Sequence, residues 1–103
     1  YGNFNRHNDE IEAHRQALRI NPEYASAWYN LGVAYSKLKR YNDAIEAYRQ
    51  ALRINPEAVD AWNNLGVAYY LAGNTAGALD AVKTLRRLDP DQAEKLFNMI
   101  VPR

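Results

Sequence analysis

Apolar residues recur at spacings of three and four along most of this chain. Between residues 24 and 38, Ala27, Trp28, Leu31, Ala34, Tyr35 and Leu38 share one helical face; between 42 and 54, Ala44, Ile45, Ala47, Tyr48, Ala51, Leu52 and Ile54 do the same. Extended along the sequence, this pattern predicts helices over 8–20, 24–38, 42–54, 58–72, 76–88 and 91–101. No segment alternates apolar and polar residues as a half-buried strand requires. The expected fold class is all-α.

A second period lies above the first. Pro22, Pro56 and Pro90 are 34 residues apart, and the same offset places Trp28 over Trp62, Leu31-Gly32 over Leu65-Gly66, Tyr35 over Tyr69 and Ala44 over Ala78. Residues 25–58 and 59–92 agree at 12 of 34 positions, and residues 1–24 agree with 35–58 at 16 of 24, which excludes coincidence. A pair of amphipathic helices repeated at this interval buries its apolar faces by stacking on its own copies. The expected organisation is one domain over 1–103: a partial repeat (1–24), two repeats (25–58 and 59–92) and a capping helix (93–103). In the capping helix Leu96 stands in the place of Trp62, and Met99-Ile100 replace the Leu-Gly pair.

Small residues predict where helices approach closely. Gly32 and Gly66 fall inside helices, where glycine costs about 1 kcal/mol relative to alanine, so a neighbour that needs the space is expected there. Ala17, Ala44, Ala51 and Ala78 are expected to act likewise, while Trp28, Trp62, Tyr35, Tyr48 and Tyr69 fill the gaps between hairpins. Each proline is expected in the first turn of a helix, capped from Asn21, Asn55 or Asp89, with Asn42-Asp43 capping the helix over 42–54.

Composition narrows the function. Hydrophobic residues make up 48% of 103, enough for a packed core, and a net charge of +1 offers no field for nucleic acid. Zero cysteines exclude disulfides, thiolate metal sites and thiol nucleophiles. No apolar run of membrane-spanning length is present, and neither a membrane span nor a secretory leader is expected; a soluble protein is expected, cytoplasmic by default. The chain starts at Tyr1 in mid-pattern, which suggests a piece of a longer protein.

The pattern Trp28-Leu31-Gly32-Tyr35, repeated as Trp62-Leu65-Gly66-Tyr69 and followed by Ala44 or Ala78 and by Pro56 or Pro90, resembles the tetratricopeptide repeat family over almost the whole chain. That resemblance implies a right-handed α-solenoid of antiparallel helix hairpins, with first helices lining a concave groove that binds segments of other proteins. It implies a scaffold or adaptor, no cofactor and no catalysis. The alternative is a substrate-presenting or regulatory segment of a larger enzyme such as a glycosyltransferase. Two departures stand out: Glu10 replaces the small Ala44, and His14 replaces Tyr48.

Subtracting the side chains needed for packing leaves Ser26, Tyr29, Asn30, Val33, Ser36 and Lys37 on one first helix, and Asp60, Asn63, Asn64, Val67, Tyr70 and Leu71 on the next. Of these, Tyr29, Asn30, Val33, Lys37, Asn63, Asn64, Val67, Tyr70 and Leu71, with Asn98, are the candidate peptide-binding residues. Asn30, Asn64 and Asn98 are spaced 34 apart and resemble the asparagine ladder of glycosyltransferase repeat arrays, although helix packing is an equal explanation. An amide supplies two donors and an acceptor, so such a ladder can pair with a peptide backbone without reading its side chains. The carboxylate clamp of chaperone-binding repeats uses Lys and Arg, whereas Ser26, Tyr29, Val33 and Asp60 occupy the matching places; chaperone tails are not expected ligands.

Other charged groups have plainer readings. Glu12 with Arg15 and Glu46 with Arg49 are expected as exposed pairs, and Arg86-Arg87 complement a helix dipole. His7, Glu10 and His14 would present metal ligands only if one helix ran through all three; no metal site is expected. The incomplete first repeat is expected to expose Ile11, Ala17 and Leu18, which raises self-association through residues 1–20.

Overall fold

A computed structural model of the chain describes residues 2–102, with side chains from Arg6 onward; Tyr1 and Arg103 lie outside the described residues. Among the described residues there are six helices and no strand: α1 (Gly2–Ile20), α2 (Ala25–Lys37), α3 (Tyr41–Ile54), α4 (Val59–Leu71), α5 (Thr75–Leu88) and α6 (Pro90–Ile100). Each helix packs on the next in sequence, and α4 also touches α2 and α6. The result is an α-solenoid in two layers, with α2, α4 and α6 on one side and α1, α3 and α5 on the other, measuring 40 × 31 × 19 Å.

The glycines sit where large side chains cross. A Cβ on Gly32 would lie 2.6 Å from the Tyr48 ring, and one on Gly66 would lie 2.6 Å from Leu96 Cδ2. Tyr48 is 2% exposed, so its ring occupies the space that Gly32 vacates. One repeat later Val82 replaces Tyr48, and Leu96 from α6 reaches Gly66 instead. Ala44, Ala78 and Leu85 are fully buried, and Trp62 and Tyr69 pack against both halves of the core.

Helix ends depart from the sequence expectation in several places. Only Pro90 stands in the first turn of a helix, where Asp89 caps by accepting from the Gln92 amide at 3.2 Å. Pro22 and Pro56 lie instead in turns ahead of α2 and α4, whose N-cap residues Tyr24 and Ala58 make no side-chain cap. In both turns the tryptophan six residues on holds the proline carbonyl: Trp28 Nε1 donates to that of Pro22 at 2.8 Å, and Trp62 Nε1 to that of Pro56 at 2.7 Å. In α6 Leu96 takes the tryptophan's place and has no side-chain N–H to give, and α6 starts directly at its proline. Asn21 accepts from the Glu23 amide within its turn, and Asn55 ends α3.

Asn42-Asp43 do not cap α3. Its N-cap is Arg40, which makes no side-chain cap, and its guanidinium pairs with Asp43 at 2.9 Å. The working cap of this kind is Asn74 on α5, accepting from Gly77 N at 2.8 Å. Helices α2 and α4 end in turns at Lys39 and Gly73, which have φ of 60° and 85° and are 34 apart in sequence. In α1 the matching residue, Asn5, stays in the helix, so α1 begins at Gly2 and not near residue 8. Each added helical residue gains a backbone hydrogen bond, which favours continuing the helix.

Ile11 and Leu18 are buried against α2, at 5% and 8% exposure, and Ala17 is partly covered. The apolar surface expected from these three is therefore already used within the chain. Glu12 and Glu46 are bonded by Gln16 and Gln50 rather than by Arg15 and Arg49. Arg53 reaches from α3 to Glu23 in the α1–α2 turn at 2.9 Å, which holds the Glu23 carboxyl below its usual range, and Arg86 lies over the Phe97 ring.

Candidate functional site

The α2–α4 face carries two shallow depressions whose linings are one repeat apart. The first, about 300 Å³, is lined by Glu10, His14, Asn30, Val33, Ala34 and Lys37. The second, about 260 Å³, is lined by Val33, Ser36, Lys37, Tyr48, Asn64 and Val67. His14, Asn30 and Val33 map onto Tyr48, Asn64 and Val67 at the 34-residue offset, and Val33 and Lys37 border both. The helical period produces this arrangement: residues 30, 33 and 37 lie on one face of α2, and 64, 67 and 71 on the same face of α4.

Tyr48 lines the second depression and packs on Tyr29 behind it. The rings of Tyr29 and Tyr48 are 5.8 Å apart and tilted by 54°, and Asn64 Nδ2 donates to the Tyr29 hydroxyl at 3.0 Å. Burial raises the Tyr48 phenol above its ordinary value, with hydrogen bonding from Ser36 and Asn64 acting the other way. Tyr29 is raised as well, mainly by burial and then by the charge of Asp60. Tyr29 and Asn30 continue into a further hollow of about 290 Å³ bordered by Ser26, Asn55 and Asp60.

Of the residues expected from sequence, Asn30, Val33, Lys37, Asn64 and Val67 line the paired depressions, and Tyr29 joins them through Asn64. Asn63 turns toward α6, where its amide oxygen accepts from Gln92 at 2.9 Å. Tyr70, Leu71 and Asn98 are exposed on the continuation of the same register. His14 and Tyr48 were not expected in the lining, because their position reads as packing; Tyr48 packs on Gly32 and still presents an edge to the depression. Their 34-residue spacing was the available signal.

A helix does run through His7, Glu10 and His14, but the three do not converge. His7 Nδ1 and Glu10 Oε1 are 2.8 Å apart, and this hydrogen bond keeps the Glu10 carboxyl low, while His14 lines the first depression. Among the described residues no group of three histidine or carboxylate side chains could hold a metal ion. No described helix is long and apolar enough to cross a membrane.

The α1–α3–α5 face has its own repeated clefts, of about 420 and 450 Å³, floored by Trp28 and Tyr35 and by Trp62 and Tyr69. Both indole N–H groups are committed to proline carbonyls, which assigns the tryptophans to the interhelical turns.

Three models of the tetratricopeptide repeat match residues 8–39, 25–58 and 47–80. No curated protein matches the chain in sequence. Among solved structures, the chain is similar to the TPR2B domain of yeast Sti1 in its pHsp70 complex, at 21% identity and a TM-score of 0.80 over 87% of this chain and 78% of that one. The first TPR of Spaghetti (RPAP3), bound to an HSP90 peptide, aligns with a TM-score of 0.85 at 18% identity, over 93% and 78% of the two chains. MamA is 31% identical with a TM-score of 0.73, over 82% of this chain but 46% of that one. The three matched segments overlap along the same stacked helix pairs that the 34-residue offset marks out, and the chain belongs to the tetratricopeptide repeat family.

Proposed function

We propose that this chain is an interaction module that binds an extended segment of another protein along the α2–α4–α6 face. The observation that carries the reading is the repetition of one lining, an asparagine and a valine beside an aromatic or histidine ring, in two depressions at successive repeats. An extended chain advances about 3.3 Å per residue and packed helices lie about 8–10 Å apart, so a ligand crossing this face meets a new subsite about every three residues. Asn30 is exposed for backbone pairing, and Asn64 is oriented by Tyr29. Solved relatives in this fold are bound to chaperone peptides, which supports peptide binding as a use of such a face. The places where a chaperone-tail clamp has cations hold Ser26, Tyr29, Val33 and Asp60 here, so an internal segment fits better than a C-terminal carboxylate.

Such a face would equally serve a substrate-presenting segment of a longer enzyme, and the amide ladder is what favours that second reading. A second copy of this chain has less support as the partner, since Ile11 and Leu18 are already buried. The test is capture of partners by the wild-type module beside an Asn30→Ala/Asn64→Ala/Val67→Glu variant whose fold is confirmed by circular dichroism. Partners lost with the variant support the groove. Equal capture by both baits would move the binding surface elsewhere and end this reading.

A further inference from the structure

The face changes chemistry along its length, and this deepens the groove reading on which it rests. Lys37 borders both depressions and makes no ion pair among the described residues. Its neighbour Glu10 is engaged by His7 at 2.8 Å, which leaves the exposed ammonium as the cation on the rim. One repeat on, the place of Lys37 is taken by Leu71 and that of Ser36 by Tyr70. Tyr70 and Leu71 are 37% and 50% exposed, and Val101, in the place of Val67, is 41% exposed. Scattered apolar residues on a surface need no explanation. Here Tyr70 and Leu71 follow Val67 by three and four residues on one face of α4, so a face that is polar at its α1 end becomes apolar there.

We infer that the ligand is an extended peptide carrying an acidic side chain opposite Lys37 and an aliphatic or aromatic side chain opposite Tyr70 and Leu71. Lys37 and Leu71 are one repeat apart, so the spacing of helices and of extended residues sets these two side chains about three residues apart. Charge selects the first position and desolvation of exposed apolar surface the second. Asn64 lines the second depression with Lys37, and its amide is the group that pairs with ligand backbone there without constraining the ligand's side chains.

The test is selection of binders from a random linear peptide display library on the wild-type module, on Lys37→Glu and on Leu71→Lys, with each bait's helicity checked. The wild type is expected to select an acidic residue and an apolar one three positions apart. Lys37→Glu should exchange the acidic preference for Lys or Arg and keep the apolar one, and should weaken wild-type-selected peptides about fivefold, as one exposed charge pair allows. Leu71→Lys should erase the apolar preference and keep the acidic one. Selected peptides that depend on Asn64 and Val67 but show no such pair, or no exchange, would overturn this inference and leave the groove reading standing. Peptides that bind independently of Asn64 and Val67 would overturn both.

Discussion

Gly32 and Tyr48 show how one residue's absence determines another's place. Tyr48 reaches the core only because Gly32 leaves room for its ring, and in return it supplies the floor of a depression. Gly32→Ala would gain about 1 kcal/mol of helix propensity but force a Cβ into a buried ring, and overpacking of this kind costs about 1–3 kcal/mol. Gly66→Ala meets the far end of the flexible Leu96 side chain, with the Ala81 Cβ next at 3.3 Å, so the new methyl displaces a chain end and not a ring. Urea denaturation should therefore rank Gly32→Ala below Gly66→Ala; the reverse order would mean that the Tyr48 ring is not fixed. The same burial has a pH consequence. Tyr29 and Tyr48 have phenols raised above the ordinary 10.0, so the folded state holds its protons longer than the unfolded chain. Their contribution is present below pH 10.0 and is lost as pH rises through the raised values. Tyr48→Phe is expected to flatten the fall in the urea midpoint on the alkaline side, and an unchanged slope would contradict it. The packing roles of Gly32 and Tyr48 were legible in the sequence, since a glycine inside a periodic helix calls for a close neighbour. The place of Tyr48 in the lining of a depression was not, because periodicity gives a face and cannot show that a buried ring borders open space.

At the level of helices, existence was readable and the ends were not. The 34-residue offset locates every hairpin, but Asn21-Pro22, Asn55-Pro56 and Asp89-Pro90 look alike locally and behave differently. What separates them is a hydrogen bond from a tryptophan six residues on, present at the first two and impossible at Leu96. Capping shows the same limit. Asn42 and Asn74 are both asparagines near the start of a second helix, yet Asn42 is inside α3, whereas Asn74 precedes α5 and accepts from Gly77. Asn74→Ala should cost about 1 kcal/mol, the usual loss of an asparagine cap. Asn42→Ala, at an exposed helical position, should stay within about 0.5 kcal/mol of wild type. Thermal denaturation of the two variants side by side checks this, and equal losses would show that Asn42 caps after all.

Across the whole molecule, contacts run between successive helices, with α3–α4 and α5–α6 joining one hairpin to the next and α2–α4 and α4–α6 adding smaller contacts. Stability in such an array is a sum of local and nearest-neighbour terms, so the two ends can open separately. Leu96 is the test of this, because it seals the last hairpin by filling the space beside Gly66 that Tyr48 fills beside Gly32 in the preceding one. Leu96→Ala removes a side chain that is 3% exposed, with an expected loss of about 2–5 kcal/mol where it packs. The loss should fall on α5 and α6, whose core of Ala78, Val82, Leu85, Ala93 and Ile100 surrounds it. Helices α2 and α3, built around Leu31, Tyr48 and Leu52, should keep their protection. Native-state hydrogen exchange resolves this helix by helix. Protection lost only from α5 and α6 would mean that Asn98, on α6, can loosen while α2, which carries Lys37, and α4, which carries Tyr70 and Leu71, stay formed. A uniform loss from α1 to α6 would instead show that Trp62 and Tyr69, which touch both halves of the core, couple the array into one cooperative unit.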